Sequence, residues 1–367
     1  MAEESAKLVA VDRAAADYRR GLPVVFEAGE GAAAVALAAE MLLPAWLERM
    51  RDWPVATPVL ALTQARARAL SVRPTGHDTV LLDLEPWMDL ETLRELADAT
   101  TDLAKPLRGP FDRQLRPPLP AERAAIQLAK LARLLPSAVV ATLDGPAAEF
   151  ARAHDLLRVT AEQVFAYEAA AALQLRQVAA APVPLEDAEN SRIVAFRPAD
   201  GGVEHLAIVI GDPDRHHPVL VRLHSECFTG DLIGSLKCDC GQQLRGAIAE
   251  IGEAGAGMVL YLAQEGRGIG LMNKLRAYRL QADGFDTVDA NLRLGFDADE
   301  RIFLPAAEML RQLGFRRVRL MTNNPDKVAG LTACGIEVTD RVPHRFPSNQ
   351  HNEFYLATKK RRSGHLL

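Results

Sequence analysis

Three of the four cysteines fall in one short stretch, HSECFTGDLIGSLKCDCGQQL, as Cys227, Cys238 and Cys240 in a C-x10-C-x-C array. Thiolates bind zinc at about 2.3 Å, and a site with three protein ligands keeps a fourth position where water is activated toward a pKa of about 7. The array therefore predicts a working zinc. A closed structural site, with His224 or Cys334 as fourth ligand, is the plainer alternative. The spacing lacks the paired C-x2-C arms of structural ribbons, and 367 residues that are 49% hydrophobic fold without a metal staple.

Further on, YLAQEGRGIGLMNKLRAY reads as an apolar strand ending in a loop with Glu265, Gly266 and Arg267, followed by an amphipathic run through Leu271, Leu275 and Tyr278. A carboxylate, a guanidinium and free backbone donors suit a purine bearing phosphates: the carboxylate accepts from the guanine edge, and the cation and amides take anionic oxygens. Two more stretches add polar groups at element junctions. DTVDANLRLGFDADERIF carries Thr287, Asp299 and Arg301, and RLMTNNPDKVAGL carries Thr322 and Lys327 where a strand passes into a helix.

Taken with the cysteine array, the order of these motifs resembles the GTP cyclohydrolase II family over residues 203–367, through the closing NEFYLATKKRRSGHLL. The resemblance implies one zinc per subunit on Cys227, Cys238 and Cys240. It also implies hydrolysis at C8 of the guanine imidazole ring with loss of formate and pyrophosphate, and Mg2+ with the GTP phosphates. It carries nucleotide contacts onto Arg222, Leu223, His224, Ser225, Glu226, Gln243, Glu265, Gly266, Arg267, Thr287, Thr322 and Lys327. Asp299 takes the place of a proton acceptor, Arg301 that of a nucleophile at the α-phosphate, and Tyr278 that of a tyrosine orienting the attack. A guanidinium with pKa above about 12 has no free lone pair at neutral pH, so electrostatic stabilisation is the role chemistry gives Arg301. Tyr278 also fits a core aromatic on a helix face. A homodimer is expected from the family.

The elements that must position these groups follow an α/β rhythm. HLAIVIGD and PVLVRLH read as neighbouring strands, the second delivering Arg222 and His224. GQQLRGAIAEIGEAG reads as a helix with Leu244, Ile248 and Ile251 on one face, and GMVLYLA as the next buried strand. Residues 317–321 and 324–334 continue the alternation. The reading is two α/β domains, residues 1–183 and 184–367, joined through AAAPVPLEDAENSR, the second of them GTP cyclohydrolase II-like with a zinc site.

In the first half, helical spacing over residues 11–20 and 31–50 alternates with apolar runs at 22–26 and 79–84, and the proline-rich passage KPLRGPFDRQLRPPLP reads as an ordered loop. RAAADYRRGLPVVF, AAEMLLP and ERAAIQLAKLARLLPSAVVATLD resemble the 3,4-dihydroxy-2-butanone 4-phosphate synthase family. That family's acidic cluster is replaced by EAGEGAAA, which leaves only Glu27 and Glu30. Its metal-binding histidine is missing from LPAERAAIQ, and Thr142 stands for its catalytic glutamate. The resemblance thus implies a scaffold without the divalent site that enediol chemistry requires.

A net charge of -5 argues against a nucleic-acid partner, no apolar run approaches the roughly 20 residues of a membrane span, and reduced cysteines fit the cytoplasm. The KKRR at 359–362 reads as a wet face, His216 and His217 as a solvated turn, and Cys334 as a core thiol. Two rivals remain. A zinc nucleobase deaminase also uses cysteine ligands beside a glutamate, but its H-x-E and P-C-x-x-C spacing is missing. A nucleotide sensor without catalysis would keep the pocket alone.

Overall fold

The computed structural model describes residues 2–29, 32–53, 55–347, 350 and 362. Glu30 and the closing NEFYLATKKRRSGHLL, Arg362 apart, lie outside them, and with that stretch most of the basic KKRR. The chain forms two compact units that are not continuous in sequence: Met1–Glu168 with Met272–Glu300, and Ala169–Leu271 with Arg301–Leu367.

In chain order the elements are α1 (Ala2–Arg19), β1 (Val24–Glu27), β2 (Ala33–Ala38), α2 (Pro44–Asp52), β3 (Val59–Thr63), α3 (Gln64–Ala69), β4 (Thr79–Asp83) and α4 (Leu90–Ala97). Then come α5 (Pro120–Leu131), β5 (Ser137–Thr142), α6 (Ala147–Ala153), β6 (Leu157–Thr160), α7 (Ala161–Leu173), β7 (Arg176–Pro182), β8 (Ser191–Arg197), β9 (His205–Ile210) and β10 (Val219–Ser225). The remainder is α8 (Cys240–Glu253), β11 (Gly257–Leu262), α9 (Leu271–Ala282), α10 (Thr287–Arg293), α11 (Leu304–Leu313), β12 (Arg317–Met321), α12 (Pro325–Ala333) and β13 (Glu337–Val342).

The first unit is built on a six-stranded sheet in the order β4-β3-β5-β2-β1-β6. Only β1 and β6 pair in parallel; β1–β2, β2–β5, β3–β5 and β3–β4 are antiparallel. The helical spacing expected over residues 31–50 fails in its first part. AAVALA is β2, buried at every position between β1 and β5. Alanine favours helices in isolation, but a strand buried on both faces reads as a continuous apolar run, and tertiary burial outweighs a weak propensity. The core gathers Val11 and Tyr18 of α1, Phe26, and the alanine face of α5. The proline-rich passage is the loop expected, with Leu107 and Leu115 in solvent.

Segment Met272–Glu300 belongs to this same unit. The amphipathic reading of its helix is corrected: Leu275 is exposed, and α9 buries Asn273, Lys274, Ala277 and Leu280 instead. Polar anchoring explains the mismatch. The Asn273 amide donates to the Arg133 carbonyl at 2.9 Å, and Arg276 bridges Glu40 at 2.7 Å and Asp98 at 3.2 Å.

The second unit holds a seven-stranded sheet in the order β13-β12-β10-β11-β9-β8-β7. Strands β10, β11, β12 and β13 run parallel and the β9–β8–β7 side is antiparallel. β9 and β10, read from sequence as neighbours, are separated by β11. The reason is the crossover: α8 returns the chain to lay β11 parallel to β10, and β9 then takes the antiparallel edge of β11. β7 precedes the expected boundary at 183/184 yet pairs with β8 in this second sheet. Leu223, Leu260, Leu320 and Met309 lie at the centre of its core.

Candidate active site

Three parallel strands of the second unit, β10, β11 and β12, have their carboxyl ends on one edge, at Ser225, Leu262 and Met321. Side chains beyond the carboxyl ends of such strands face a crevice that backbone pairing no longer fills, the usual ligand position of open α/β sheets. The cysteine array sits on the segment leaving β10. Cys227 caps a single π-helical turn, Phe228–Leu232, and its Sγ accepts from the Gly230 amide at 3.3 Å. Cys240 opens α8, where the helix dipole favours a thiolate.

The three sulfur atoms lie within 4.8 Å of one another, and Cys227 Sγ is 3.7 Å from Cys238 Sγ. Tetrahedral ligands at 2.3 Å from zinc stand about 3.8 Å apart, so the donor set fits that ion. The Cys227 sulfur beside it pushes the Cys238 thiol upward, because a second thiolate at that distance is disfavoured without a cation to neutralise it. Neither His224 nor Cys334 joins the group among the described residues. Cys334 instead packs against the core at the end of α12.

The turn also demands a residue that spacing did not single out. A Cβ on Gly230 would stand 2.9 Å from Cys238 Sγ and 3.1 Å from Cys227 Sγ. Only glycine lets the three sulfurs close on the backbone. Asp231 was missed as well. Its buried carboxylate accepts from the Cys227 amide at 3.0 Å and the Tyr261 hydroxyl at 3.0 Å, and lies 3.0 Å from His224 Nε2. His224 stacks on Tyr261 at 5.6 Å, its Nδ1 is buried without a partner, and burial lowers its pKa. With Nε2–H donated to Asp231, Nδ1 is left as an acceptor.

Arg222, 5% exposed, donates from Nη1 to the Met321 carbonyl at 3.0 Å and from Nη2 to Gln243, whose amide in turn meets Asp239. Burial lowers its pKa to about 10, and its Nε finds no partner. Lys327, on α12, donates to the Leu223 carbonyl at 2.7 Å, and Thr322 accepts from the Asn324 amide at 3.0 Å. Glu265 is buried, its carboxylate accepting from the Phe228 amide at 2.6 Å and from Gly266 at 2.9 Å, so it ties the glycine loop to the turn after Cys227. Gly266 and Arg267 both adopt φ 63, the left-handed region, which shapes this loop as a turn rather than a helix start. Ser225 and Glu226 are half-buried at the end of β10, where Leu223 is core.

His344 and Asn323 are further buried groups that sequence gave no signal for. Asn323 accepts from the His344 amide at 3.0 Å, and the His344 ring lies 2.9 Å from Glu250 and 2.9 Å from the Gln243 carbonyl. Arg301 belongs to this unit, whereas Tyr278, Thr287 and Asp299 belong to the first. There Thr287 opens α10 behind the Asp286 cap, Tyr278 receives the Lys274 ammonium 5.6 Å from its ring centre, and Asp299 is exposed.

The GTP cyclohydrolase II family model matches residues 176–343. A protein of Azospirillum brasilense named GTP cyclohydrolase-2 is 54% identical over 99% of this chain and 95% of its own length. A riboflavin biosynthesis protein RibBA of Parabacteroides distasonis is 42% identical over 76% of this chain and 72% of its own. A solved two-domain 3,4-dihydroxy-2-butanone 4-phosphate synthase from A. baumannii aligns with a TM-score of 0.36 and 18% identity, over 92% of this chain and 99% of that one.

Proposed function

The chain belongs to the GTP cyclohydrolase II family, and on that premise we propose that it opens the imidazole ring of GTP by zinc-dependent hydrolysis, the first step of riboflavin biosynthesis. Formate and pyrophosphate leave, and 2,5-diamino-6-(5-phosphoribosylamino)pyrimidin-4(3H)-one remains. The observation that carries this reading is the zinc-sized trio of sulfurs at the carboxyl ends of β10 and β11, beside a buried arginine with an unused donor.

Zinc on Cys227, Cys238 and Cys240 supplies a Lewis acid that activates water at neutral pH. The protein groups do the rest. Arg222 and Lys327 hold positive charge toward the triphosphate, with Thr322 at the mouth of α12, and Mg2+ travels with the phosphates. Glu265 and Gln243 offer polar contacts to the guanine edge, His224 a buried acceptor, and Ser225, Glu226, Gly266 and Arg267 line the loops around them. Asp299 takes up a proton, Thr287 and Tyr278 orient substrate, and Arg301 stabilises charge at the α-phosphate.

Incubation with GTP and Mg2+ should yield formate, pyrophosphate and the absorbance of the diaminopyrimidine. Ammonia would instead mark a deaminase, and no product a nucleotide sensor; either result overturns the reading.

We propose further that residues 1–183 are a 3,4-dihydroxy-2-butanone 4-phosphate synthase-like domain without synthase activity, preceding a cyclohydrolase domain at 184–367. The support is in the sequence, where EAGEGAAA leaves Glu27 and Glu30 in place of a dense acidic cluster, and Glu27 is engaged by Arg158. Formation of the four-carbon product from ribulose 5-phosphate would overturn this. A cytoplasmic homodimer completes the proposal, with small-molecule substrate and neither nucleic acid nor membrane as partner; no described helix is long and apolar enough to cross a membrane.

A further inference from the structure

The residues assigned to the reaction do not all come from the unit that holds the cysteines. Tyr278, Thr287 and Asp299 lie on Met272–Glu300, which packs within the same compact unit as Met1–Glu168. The chain enters that segment from Leu271 and leaves it into Arg301, so its ends are continuous with the cyclohydrolase half while it packs in one compact unit with the first half.

Those contacts are specific and partly buried. Arg276 spans Glu40 and Asp98, at 2.7 and 3.2 Å, two carboxylates belonging to different elements of the first half. Asn273, wholly buried, is fixed to the Arg133 carbonyl. Near the other end Arg66, 1% exposed and clamped by Asp102, donates to the Arg293 carbonyl at 3.3 Å, and the Thr63 hydroxyl donates to the Gly295 carbonyl at 2.8 Å. Lys130 closes the run on Glu300 at 2.7 Å, next to Asp299. Isolated surface ion pairs contribute little, but buried donors tied to backbone carbonyls fix a segment in position, and losing one leaves its partner unsatisfied.

We propose that the first half of the chain works as the holder of the cyclohydrolase segment 272–300, with Glu40 and Asp98 as positioning residues that act through Arg276. This rests on the functional reading above and deepens it. The first half then has a task in ring opening that needs none of the synthase carboxylates, and nothing in its contacts with the segment requires a divalent ion.

The test uses the full chain with Glu40→Gln and Asp98→Asn, singly and together; both changes are isosteric and leave the fold its shape. An exposed carboxylate on α4, Glu91→Gln, is the control. Three quantities are read: kcat and KM for formate release from GTP, zinc content, and deuterium uptake across residues 272–300. The expected result for the double variant is kcat down between about ten- and a hundredfold, zinc unchanged at one per chain, and faster uptake confined to the segment. Glu40→Asp should restore part of kcat. Unchanged uptake would show that these carboxylates do not hold the segment, and faster uptake with kcat intact would show that ring opening is indifferent to it; either overturns the proposal. If the wild-type chain itself releases no formate, the functional reading fails instead, and uptake alone decides whether the segment is held.

Discussion

Cys227, Cys238 and Cys240 stand so close that three thiolates would repel strongly unless a cation lies among them. Cys238→Ser should therefore lower zinc to below about a tenth of an equivalent and formate release by at least about a hundredfold, while pyrophosphate release persists; elemental analysis and product assays check both. His224 gives a pH dependence with a definite sign. Its pKa is lowered in the folded protein by burial, so below about 6.5 the unfolded chain binds the proton first. Stability from this group is full above that pH and declines as pH falls toward the folded value. The urea midpoint should drop between pH 7.5 and 5.5, and His224→Asn should flatten the drop. At this scale the sequence displayed the three sulfurs that cluster, because their spacing is legible. It hid Gly230 and Asp231, since a requirement for no side chain, or for one carboxylate serving three donors, exists only once the turn is built.

Strands and helices were legible where apolar period and burial agree. β11 and β12 lie where GMVLYLA and residues 317–321 indicated, and the Asn324 side chain caps α12 as a strand-to-helix junction requires. They were misread where composition and environment conflict. β2 is alanine-rich and looks helical, and α9 turns Leu275 outward because asparagine and arginine anchor the other face. Strand neighbours were obscure for another reason: order in a sheet depends on where each crossover lays the next strand, and β11 comes between two strands adjacent in sequence. Helix packing gives a prediction here. On α12 a side chain at Gly330 would run into the Phe303 ring at the start of α11. Gly330→Ala should cost about 1–3 kcal/mol in a denaturant titration, with zinc retained.

For the molecule as a whole, two α/β units were foreseen, and their unequal sharing of the chain was not. Periodicity reports what each stretch buries and says nothing of which body it buries against, so the passage of residues 272–300 into the first unit left no mark in the sequence. A chain shortened to begin at Ala169 should keep zinc near one equivalent, since all three cysteines and both strands behind them lie in the second unit, yet lose most formate release. Metal analysis and a product assay on that truncation check the prediction. The link between Arg276 and Glu40, 236 positions apart, also has a genetic meaning. Alleles altering Glu40, Asp98 or Arg66 would register as a vitamin requirement relieved by riboflavin, although none of the three is among the residues proposed to contact the nucleotide. Selection would then preserve those carboxylates for the ring-opening reaction alone.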